Sequence, residues 1–464
     1  MHIIIIGAGR IGSSVAESLV SEANDITVID RDARRIEQLQ DTLDLRGIIG
    51  DATSPSILAD AGAADADMLV AVTASDETNL VVSLLAARLF NIPTRVARVR
   101  NSELRAYPRL LAEEGFEITS AIWPEEAITN SIKHLIDFPE ALQIIEFADG
   151  KASLIAVRAI AGSPLVGRPI RELAVHLPNV PARIVSVFRR NRHLDISADT
   201  VIESGDEVIV LSATRDIRRV AGEFRRNERP NKNIIIGGNL QLALQLARVI
   251  PSRAVNIKII ESDNKRSRNL AEKIPENSII LTGSITDETI LDEAGIDTCD
   301  LFIALGRDDE NNILSSLLAK KLGARRVIAL INRQTYADLM QGTQIDITVS
   351  MTQATHGELL KHVRRGDVIA AHSLRRGVAE ALEMVAHGDK KSSKVVGRKI
   401  KQLQLPDGVS VAAIVREVGV DEPRVLMGEP SLEIQTDDRV ILFVSNKRLI
   451  PKVESLFTVD VGFF

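Results

Sequence analysis

Cysteine is nearly absent from the 464 residues. Cys299 stands alone, so neither an intrachain disulfide framework nor a cysteine-rich metal site can form within the chain. Aromatics are scarce too, at 3%, and Ile, Val, Leu and Ala carry the apolar content, the mix that fully buried parallel strands prefer. No apolar run approaches the roughly 20 residues of a membrane span. The opening Met1-His2-Ile3-Ile4-Ile5-Ile6-Gly7 has no charged n-region and too short an apolar stretch for a signal peptide, so a cytoplasmic location is expected. An excess of positive charge is also lacking. Lys and Arg total 57 against 63 Asp and Glu, a net charge of −6, which argues against nucleic acid as the main partner because phosphate binding needs a dense Lys/Arg field. The basic clusters Arg189-Arg190-Asn191-Arg192 and Arg225-Arg226 read as solvated loops or helix ends. The eight histidines show no H-E-x-x-H or other ligand spacing, and no G-x-S-x-G occurs, so no catalytic residues and no metal site are expected. Cys299 precedes the apolar run Leu301-Phe302-Ile303-Ala304-Leu305 and reads as a strand-edge residue.

What is present is repetition. An apolar content of 45% and a charged content of 26% are ordinary for globular protein, and the length suggests roughly three or four domains. Ile3-Ile4-Ile5-Ile6-Gly7-Ala8-Gly9 is matched by Ile234-Ile235-Ile236-Gly237-Gly238-Asn239, Val28-Ile29-Asp30 by Ile259-Ile260-Glu261, Ala61-Gly62 by Ala294-Gly295, and Asp76-Glu77-Thr78-Asn79 by Asp309-Glu310-Asn311-Asn312. The offsets run from 230 to 233, which marks duplication of a whole domain. Each copy reads strand, glycine turn, helix, strand, helix, strand, the alternation of a doubly wound α/β fold with a parallel sheet. A smaller unit follows each copy: Gly167-Arg168-Pro169-Ile170 is similar to Gly397-Arg398-Lys399-Ile400, and Gly205-Asp206-Glu207-Val208 to Asp437-Asp438-Arg439-Val440. Strand-like runs and a short terminal helix make these units small α+β domains. The expected fold class is thus α/β, with two Rossmann-like domains at 1–140 and 234–366 and small domains at 141–226 and 367–464, joined by a polar linker at 227–233. Between the first two domains the apolar positions Ile128, Ile132, Leu135 and Ile136 form one stripe of a helix that begins near Pro124 and packs either within the chain or against a partner subunit.

Gly7-Ala8-Gly9-Arg10-Ile11-Gly12 is a complete G-x-G-x-x-G placed after a strand and at the opening of a helix, and Asp30 ends the next strand. This is the context of a dinucleotide site. The glycines permit the tight turn, the approach of the pyrophosphate and close helix packing, while amide groups and the helix dipole hold the phosphates. Asp30 would accept hydrogen bonds from ribose hydroxyls and disfavour a 2′-phosphate, so NAD(H) is preferred over NADP(H). Asp51, the Thr73-Ala74 segment after a strand, and Arg98 are further candidate contacts. Arg98 and Arg100 alternate on one strand face and either pair with phosphate or form surface salt bridges. Asp76-Glu77 reads as a helix N-terminal acidic pair. In the second copy, Gly237-Gly238-Asn239-Leu240-Gln241-Leu242 sets Asn239 at the second glycine position and Leu242 at the third, Glu261 retains the ribose acceptor, and Leu330 replaces Arg98; this copy either binds weakly, binds a mononucleotide or is structural.

The layout, and in particular Asp67-Met68-Leu69-Val70-Ala71-Val72-Thr73-Ala74-Ser75-Asp76-Glu77-Thr78-Asn79, Asp309-Glu310-Asn311-Asn312-Ile313 and the string from Leu374 to Asp389, resembles the TrkA family, the peripheral regulatory subunits of bacterial Trk potassium-uptake systems, built of tandem RCK (KTN) N- and C-terminal domains. The resemblance spans essentially the whole chain. It implies a non-enzymatic ring, a homotetramer, lying on the inner face of the plasma membrane beneath a potassium channel subunit that nucleotides (ATP, ADP, NAD(H)) open or close. It places nucleotide contacts at Gly7, Ala8, Gly9, Arg10, Ile11, Asp30, Thr73, Ala74 and Arg98, and in the second half near Gly237, Gly238, Asn239, Leu240, Gln241 and Glu261. Two readings compete with it: an NAD-dependent oxidoreductase with an unrecognised substrate site, and a ring-forming structural module that has lost ligand binding.

Overall fold

The computed structural model describes the chain except for residues 21–23, 113, 191, 227–228, 252–254, 271–273, 341–342, 364–367, 375–378, 419–420 and 460–464. Asn191 of the first basic cluster, Asn227 and Glu228 of the linker, and 375–378 within the Leu374–Asp389 string therefore lie outside the described residues.

The first parallel sheet has the order β3-β2-β1-β4-β5-β6, with β1 (His2–Ile6), β2 (Asp25–Asp30), β3 (Arg46–Ile49), β4 (Met68–Ala71), β5 (Thr94–Arg98) and β6 (Ser120–Ile122). Its helices are α1 (Arg10–Val20), α2 (Ala33–Thr42), α3 (Pro55–Asp60), α4 (Asp76–Phe90) and α5 (Pro108–Leu111). The isoleucine run of β1 shows why this strand is central. Ile3 and Ile5 join the buried cluster of Val15, Leu19 and Ile36 on one face, while Ile4 and Ile6 join that of Leu58, Leu80 and Val82 on the other. A strand whose side chains alternate between two covered faces needs a continuous apolar run. Helix α4 starts where Ser75 Oγ accepts Thr78 N at 3.0 Å and ends at Asn91 in the left-handed conformation, φ 56°.

Helix α6 (Pro124–Asp137) follows, then β7 (Ala141–Phe147), β8 (Ala152–Arg158), α7 (Glu172–His176), β9 (Ala182–Arg189), β10 (Arg192–Leu194), β11 (Glu207–Ala213) and α8 (Ile217–Gly222). These strands make a five-stranded sheet of order β10-β9-β11-β8-β7.

The second half repeats both sheets. Strands β12 (Asn233–Gly238), β13 (Asn256–Glu261), β14 (Ser278–Thr282), β15 (Leu301–Leu305), β16 (Arg326–Leu330) and β17 (Ile347–Val349) take the order β14-β13-β12-β15-β16-β17. Helices α9 (Leu240–Val249), α10 (Asn264–Leu270), α11 (Glu288–Glu293), α12 (Asp309–Lys321) and α13 (Gln334–Leu339) connect them, and α14 (Met351–Val363) leads away. The last sheet, β18 (Val368–Leu374), β19 (Ala379–Val385), β20 (Val409–Val418), β21 (Asp421–Met427) and β22 (Arg439–Val444), has the order β18-β19-β22-β20-β21, and α15 (Ile450–Phe457) follows it. The architecture is two Rossmann-like domains, each followed along the chain by a small α+β domain.

Packing does not follow chain order. One compact unit takes Met1–Pro124, Glu146–Ala152 and Thr352–Phe464; the other takes Glu125–Ile145 and Ser153–Met351. Each unit therefore joins the Rossmann sheet of one half to the small sheet of the other. The connecting helices carry the exchange. In the first unit, Leu359 of α14 is fully buried in the cluster that holds Ile122 of β6 and Leu382 of β19. In the second, the stripe Ile128, Ile132, Leu135 and Ile136 of α6 is buried, Asn231 Nδ2 donates to Ile136 O at 3.1 Å, and Arg218 Nη2 donates to Asp137 O at 2.6 Å. The stripe is thus covered within the chain.

Cys299 caps a short turn (Ile296–Thr298) immediately before β15, at 3% exposure. Burial pushes its thiol up to about 12, so the reactive thiolate is almost unpopulated at neutral pH. Native protein mixed with Ellman's reagent at pH 8 is expected to show no fast thiol reaction, and denatured protein one equivalent; fast native labelling would contradict the burial.

Candidate nucleotide site

Four loops at the carboxyl ends of the first sheet build the site. Gly7 leaves β1 at φ +101°, and a Cβ there would lie 3.2 Å from the backbone of Thr73, so the turn after β1 and the loop after β4 touch. At Gly12 an added Cβ would sit 1.8 Å from Gly7 O; only a glycine lets α1 lie this close to the turn it leaves. A Cβ at Gly9 would meet nothing within 4 Å, leaving open space where a ligand would approach the backbone. Arg10 opens α1 and is exposed, and Ile11 is buried. Ser13 N donates to Gly9 O at 2.8 Å, and Ser13 Oγ to Ala8 O at 3.1 Å.

Asp30, at the tip of β2, reaches this turn. Its Oδ2 accepts Ala8 N at 2.6 Å and its Oδ1 accepts Asp32 N at 2.8 Å, with Arg35 3.9 Å away. The acidic residue and the glycine turn are therefore one constellation. Asp51 lies beyond β3 and pairs with Arg31 at 2.6 Å. The Arg31 hydrogen bond, helped by Thr53 N and Oγ1, holds the Asp51 carboxyl at about 2. That contribution is complete above the ordinary carboxylate range and is lost as pH falls through about 2. Solvent reaches both side chains and screens the pair, so the contribution is small.

A residue whose role the sequence did not disclose organises the loop after β4. Asn79 is fully buried. Its Oδ1 accepts Thr73 N at 2.9 Å and Thr73 Oγ1 at 2.7 Å, and its Nδ2 donates to Arg98 O at 2.9 Å. Asn79 thereby ties two of the predicted site residues to each other. Asn312 does the same in the second half, accepting Gly306 N at 2.7 Å and donating to Leu330 O at 2.8 Å. The signal was available as the repeated Asn within Asp76–Asn79 and Asp309–Asn312. Asp76 and Asp309 have gone beyond helix-end charges: Asp76 accepts Arg100 N at 2.9 Å and Asn101 N at 2.8 Å, and Asp309 accepts Arg333 N at 2.8 Å. Arg100 also lies 3.6 Å from Asp76, a salt bridge of the kind given above as the alternative to phosphate pairing. Ala74 is exposed, and Arg98 is half-buried at the end of β5.

The second glycine turn stands one residue out of the register expected. Ile6 pairs with Ile29 and Ala71, and Gly237 pairs with Ile260 and Ala304, so Gly237 answers to Ile6 and Gly238 to Gly7. Gly238 carries the matching φ of +110°. Asn239 therefore stands in the place of Ala8, Leu240 in that of Gly9 and Ala243, not Leu242, in that of Gly12. The cause is local. Gly237 is demanded by packing, since a Cβ there would lie 2.2 Å from Ile285 Cγ2, and Asn239 caps α9 through Leu242 N at 3.4 Å. Leu240 is buried. Glu261 is buried as well and accepts Asp263 N at 2.9 Å. The open space beside Gly9 has no counterpart here.

The reading of Arg189 as solvated is also corrected. Arg189 ends β9, and its Nε and Nη2 each donate at 2.8 Å to the carboxylate of Asp206, which is 1% exposed. Among the described residues no group of three or more His, Cys, Asp and Glu side chains is arranged to hold a metal ion, and no helix is long and apolar enough to cross a membrane.

Known proteins share this plan. The TrkA-N domain model matches residues 3–117 and again 234–351, and the TrkA-C domain model matches 154–225 and 389–457. The Trk system potassium uptake protein TrkA of Halomonas elongata is 45% identical over 464 residues, 100% of both chains, and that of Vibrio alginolyticus is 44% identical over 98% of each. Among solved structures, the GsuK RCK domain has a TM-score of 0.61 at 18% identity, covering 98% of this chain and 94% of that one, and the GsuK channel bound to NAD has a TM-score of 0.60 at 19% identity, over 98% and 78%; both share the fold. With both domain models matched twice, in the order the duplication requires, and with relatives aligned from end to end, the chain belongs to the TrkA family.

Proposed function

We propose that this chain is the nucleotide-sensing regulatory subunit of a Trk-type potassium-uptake system, acting without catalysis. The observation that carries the reading is Asp30 held 2.6 Å from Ala8 N, inside a complete glycine turn with open space at Gly9. An adenine nucleotide would set its ribose hydroxyls on Asp30 and its phosphates on the Gly7–Gly12 turn and the amino end of α1, with Thr73, Ala74 and Arg98 closing over it and Asp51 flanking it. NAD(H), ATP and ADP share the ribose contact and differ in phosphate charge, which Arg98 or a neighbouring subunit reads. The potassium-uptake assignment rests on the names of full-length relatives. The homotetrameric ring, its seat on the inner face of the membrane and its channel partner rest on the family resemblance.

Regulation requires differential binding: a ligand shifts the ring only by the ratio of its affinities for two states. The crossed packing suggests the lever, because the first Rossmann sheet shares its unit with the second small sheet. In the second half, buried Leu240 and Glu261 leave the turn structural in this proposal, so each chain takes one nucleotide.

Calorimetric titration of the purified chain with ATP, ADP, NADH and NAD is expected to give one Asp30-dependent transition per chain. Asp30→Ala should weaken each ligand at least tenfold, on the order of the 1.5–3 kcal/mol of a charged hydrogen bond. Affinities unchanged by Asp30→Ala would remove the assignment, and a second transition abolished by Glu261→Ala would restore the second turn as a site. Steady oxidation of NADH with a small-molecule substrate would replace the regulator with an enzyme.

A further inference from the structure

Four arginines converge on a cavity that the nucleotide reading does not use. It lies within the second compact unit and has a volume of about 610 Å³. Ile160, Ala161 and Ser163, on the loop after β8, form one wall; Arg225 and Arg226 beyond α8, Arg229 of the connecting segment, and Arg325 immediately before β16 form the rest. Arg325 sits at the amino-terminal edge of the second parallel sheet. Ligands of such sheets bind beyond the carboxyl ends, so this cavity is separate from the second glycine turn.

The walls are fixed. Ile160 N donates to Phe224 O at 3.0 Å and Leu165 N to Glu223 O at 2.9 Å, which clamps the loop to the segment that bears Arg225 and Arg226. Arg325 Nη2 donates to Arg229 O and to Asn231 Oδ1, both at 3.0 Å, and Asn231 is itself buried and anchored to α6. Two buried polar groups are left over: Ser163, at 5% exposure, makes no hydrogen bond through Oγ, and Arg325 makes none through Nε. Glu223 is engaged by His176 Nδ1 at 2.7 Å. Asp300 lies 3.5 Å from Arg325 and already accepts Lys232 N and Asn233 N. Among the described residues Arg226 and Arg229 form no salt bridge.

Guanidinium groups gathered in a partly enclosed cavity raise its positive potential, and their planar forks match phosphate oxygens two at a time. The volume is that of a small-molecule cleft, and Ile160 with Ala161 offers an apolar wall. We infer that this cavity binds a small soluble molecule carrying two or more phosphates. Such a ligand would cross-link the first small domain, through the loop after β8, to the second Rossmann domain, through Arg325. It would constitute a second regulatory input, and the inference stands without the nucleotide reading of the first half.

The test uses the full chain and sodium tripolyphosphate as probe, followed by calorimetry. The variants are Arg226→Gln/Arg229→Gln, whose side chains are exposed and hold no salt bridge, and Lys401→Gln/Lys452→Gln as a charge-matched control; Gly9→Ala shields the first glycine turn. Wild type, the lysine control and Gly9→Ala are expected to bind one equivalent alike, and the arginine pair at least tenfold more weakly with an unchanged melting temperature. No binding at millimolar probe, or equal binding by the arginine pair, overturns the inference. In a parallel flotation assay with phosphatidic acid/phosphatidylcholine vesicles, no arginine-dependent flotation is expected. Arginine-dependent flotation without tripolyphosphate binding would make a membrane headgroup the occupant and overturn the soluble ligand.

Discussion

Gly9→Ala is expected to weaken nucleotide binding severely while leaving stability unchanged, and Gly12→Ala to impair both binding and stability. The two glycines lie three residues apart, yet their surroundings differ. A Cβ at Gly9 meets nothing within 4 Å, whereas one at Gly12 falls 1.8 Å from Gly7 O. In an exposed helix interior, Gly→Ala stabilises by up to about 1 kcal/mol. Here α1 must withdraw from the turn, breaking the packing of Val15, Ala16 and Leu19 against the sheet, and the net cost is about 3 kcal/mol or more. At Gly9 the added methyl instead occupies the space a pyrophosphate needs, so affinity should fall by about 100-fold with no loss of stability. The chain supplies its own reporter: Trp123, its single tryptophan, packs against the core of the first Rossmann domain. Thermal unfolding followed by tryptophan emission should show the Gly9→Ala transition where the wild type has it and the Gly12→Ala transition several degrees lower. If Gly9→Ala bound nucleotide as the wild type does, the ligand would not approach this turn; if Gly12→Ala melted normally, α1 would have room the geometry denies it.

These glycines also mark how far the sequence could be read. The four isoleucines of β1, alternating between two buried faces, and the stripe on α6 declare themselves because burial repeats with the period of the element. The duplication was plain from offsets alone. The register of the second turn was not. Gly237 and Gly238 are adjacent, either could be set against Gly7, and only the pairing of Gly237 with Ile260 and Ala304 decides. Asn79 was visible as a repeated residue, but a buried asparagine and a surface one look alike until the carbonyl of Arg98 comes within 2.9 Å. The exchange of small domains between halves could not be read at all. Chain order says which sheet follows which, whereas which sheets share a compact unit shows only in the packing.

Arg189 shows the same limit and leads to the second large effect. In each small domain an arginine at the end of one strand grips a buried aspartate at the start of another. Arg416 donates from Nε and Nη2 to Asp438 at 2.7 Å each, and from Nη2 to Glu433 O at 2.7 Å; Asp438 also accepts Gln435 N at 2.7 Å. Asp206 repeats this with Arg189 and with Glu203 N at 2.8 Å. Both aspartates are 1% exposed, and each follows a left-handed residue, Gly205 at φ +93° or Asp437 at φ +63°, which turns the chain so that the carboxylate faces inward. Asp438→Ala would remove the buried acceptor of Arg416 Nε and of Gln435 N and leave Arg416 with Glu433 O alone, at a cost of about 3 kcal/mol. Asp438→Asn keeps one oxygen and should cost less. Asp199→Ala, which breaks the exposed pair with Arg171, should cost under about 1 kcal/mol. Hydrogen exchange separates these outcomes. Asp438→Ala should raise exchange in β20 and β22, and Asp206→Ala in β9 and β11, with high salt changing either effect little because both carboxylates are buried. An Asp438→Ala chain with wild-type protection in β20 and β22 would show that the pair selects a geometry without stabilising it.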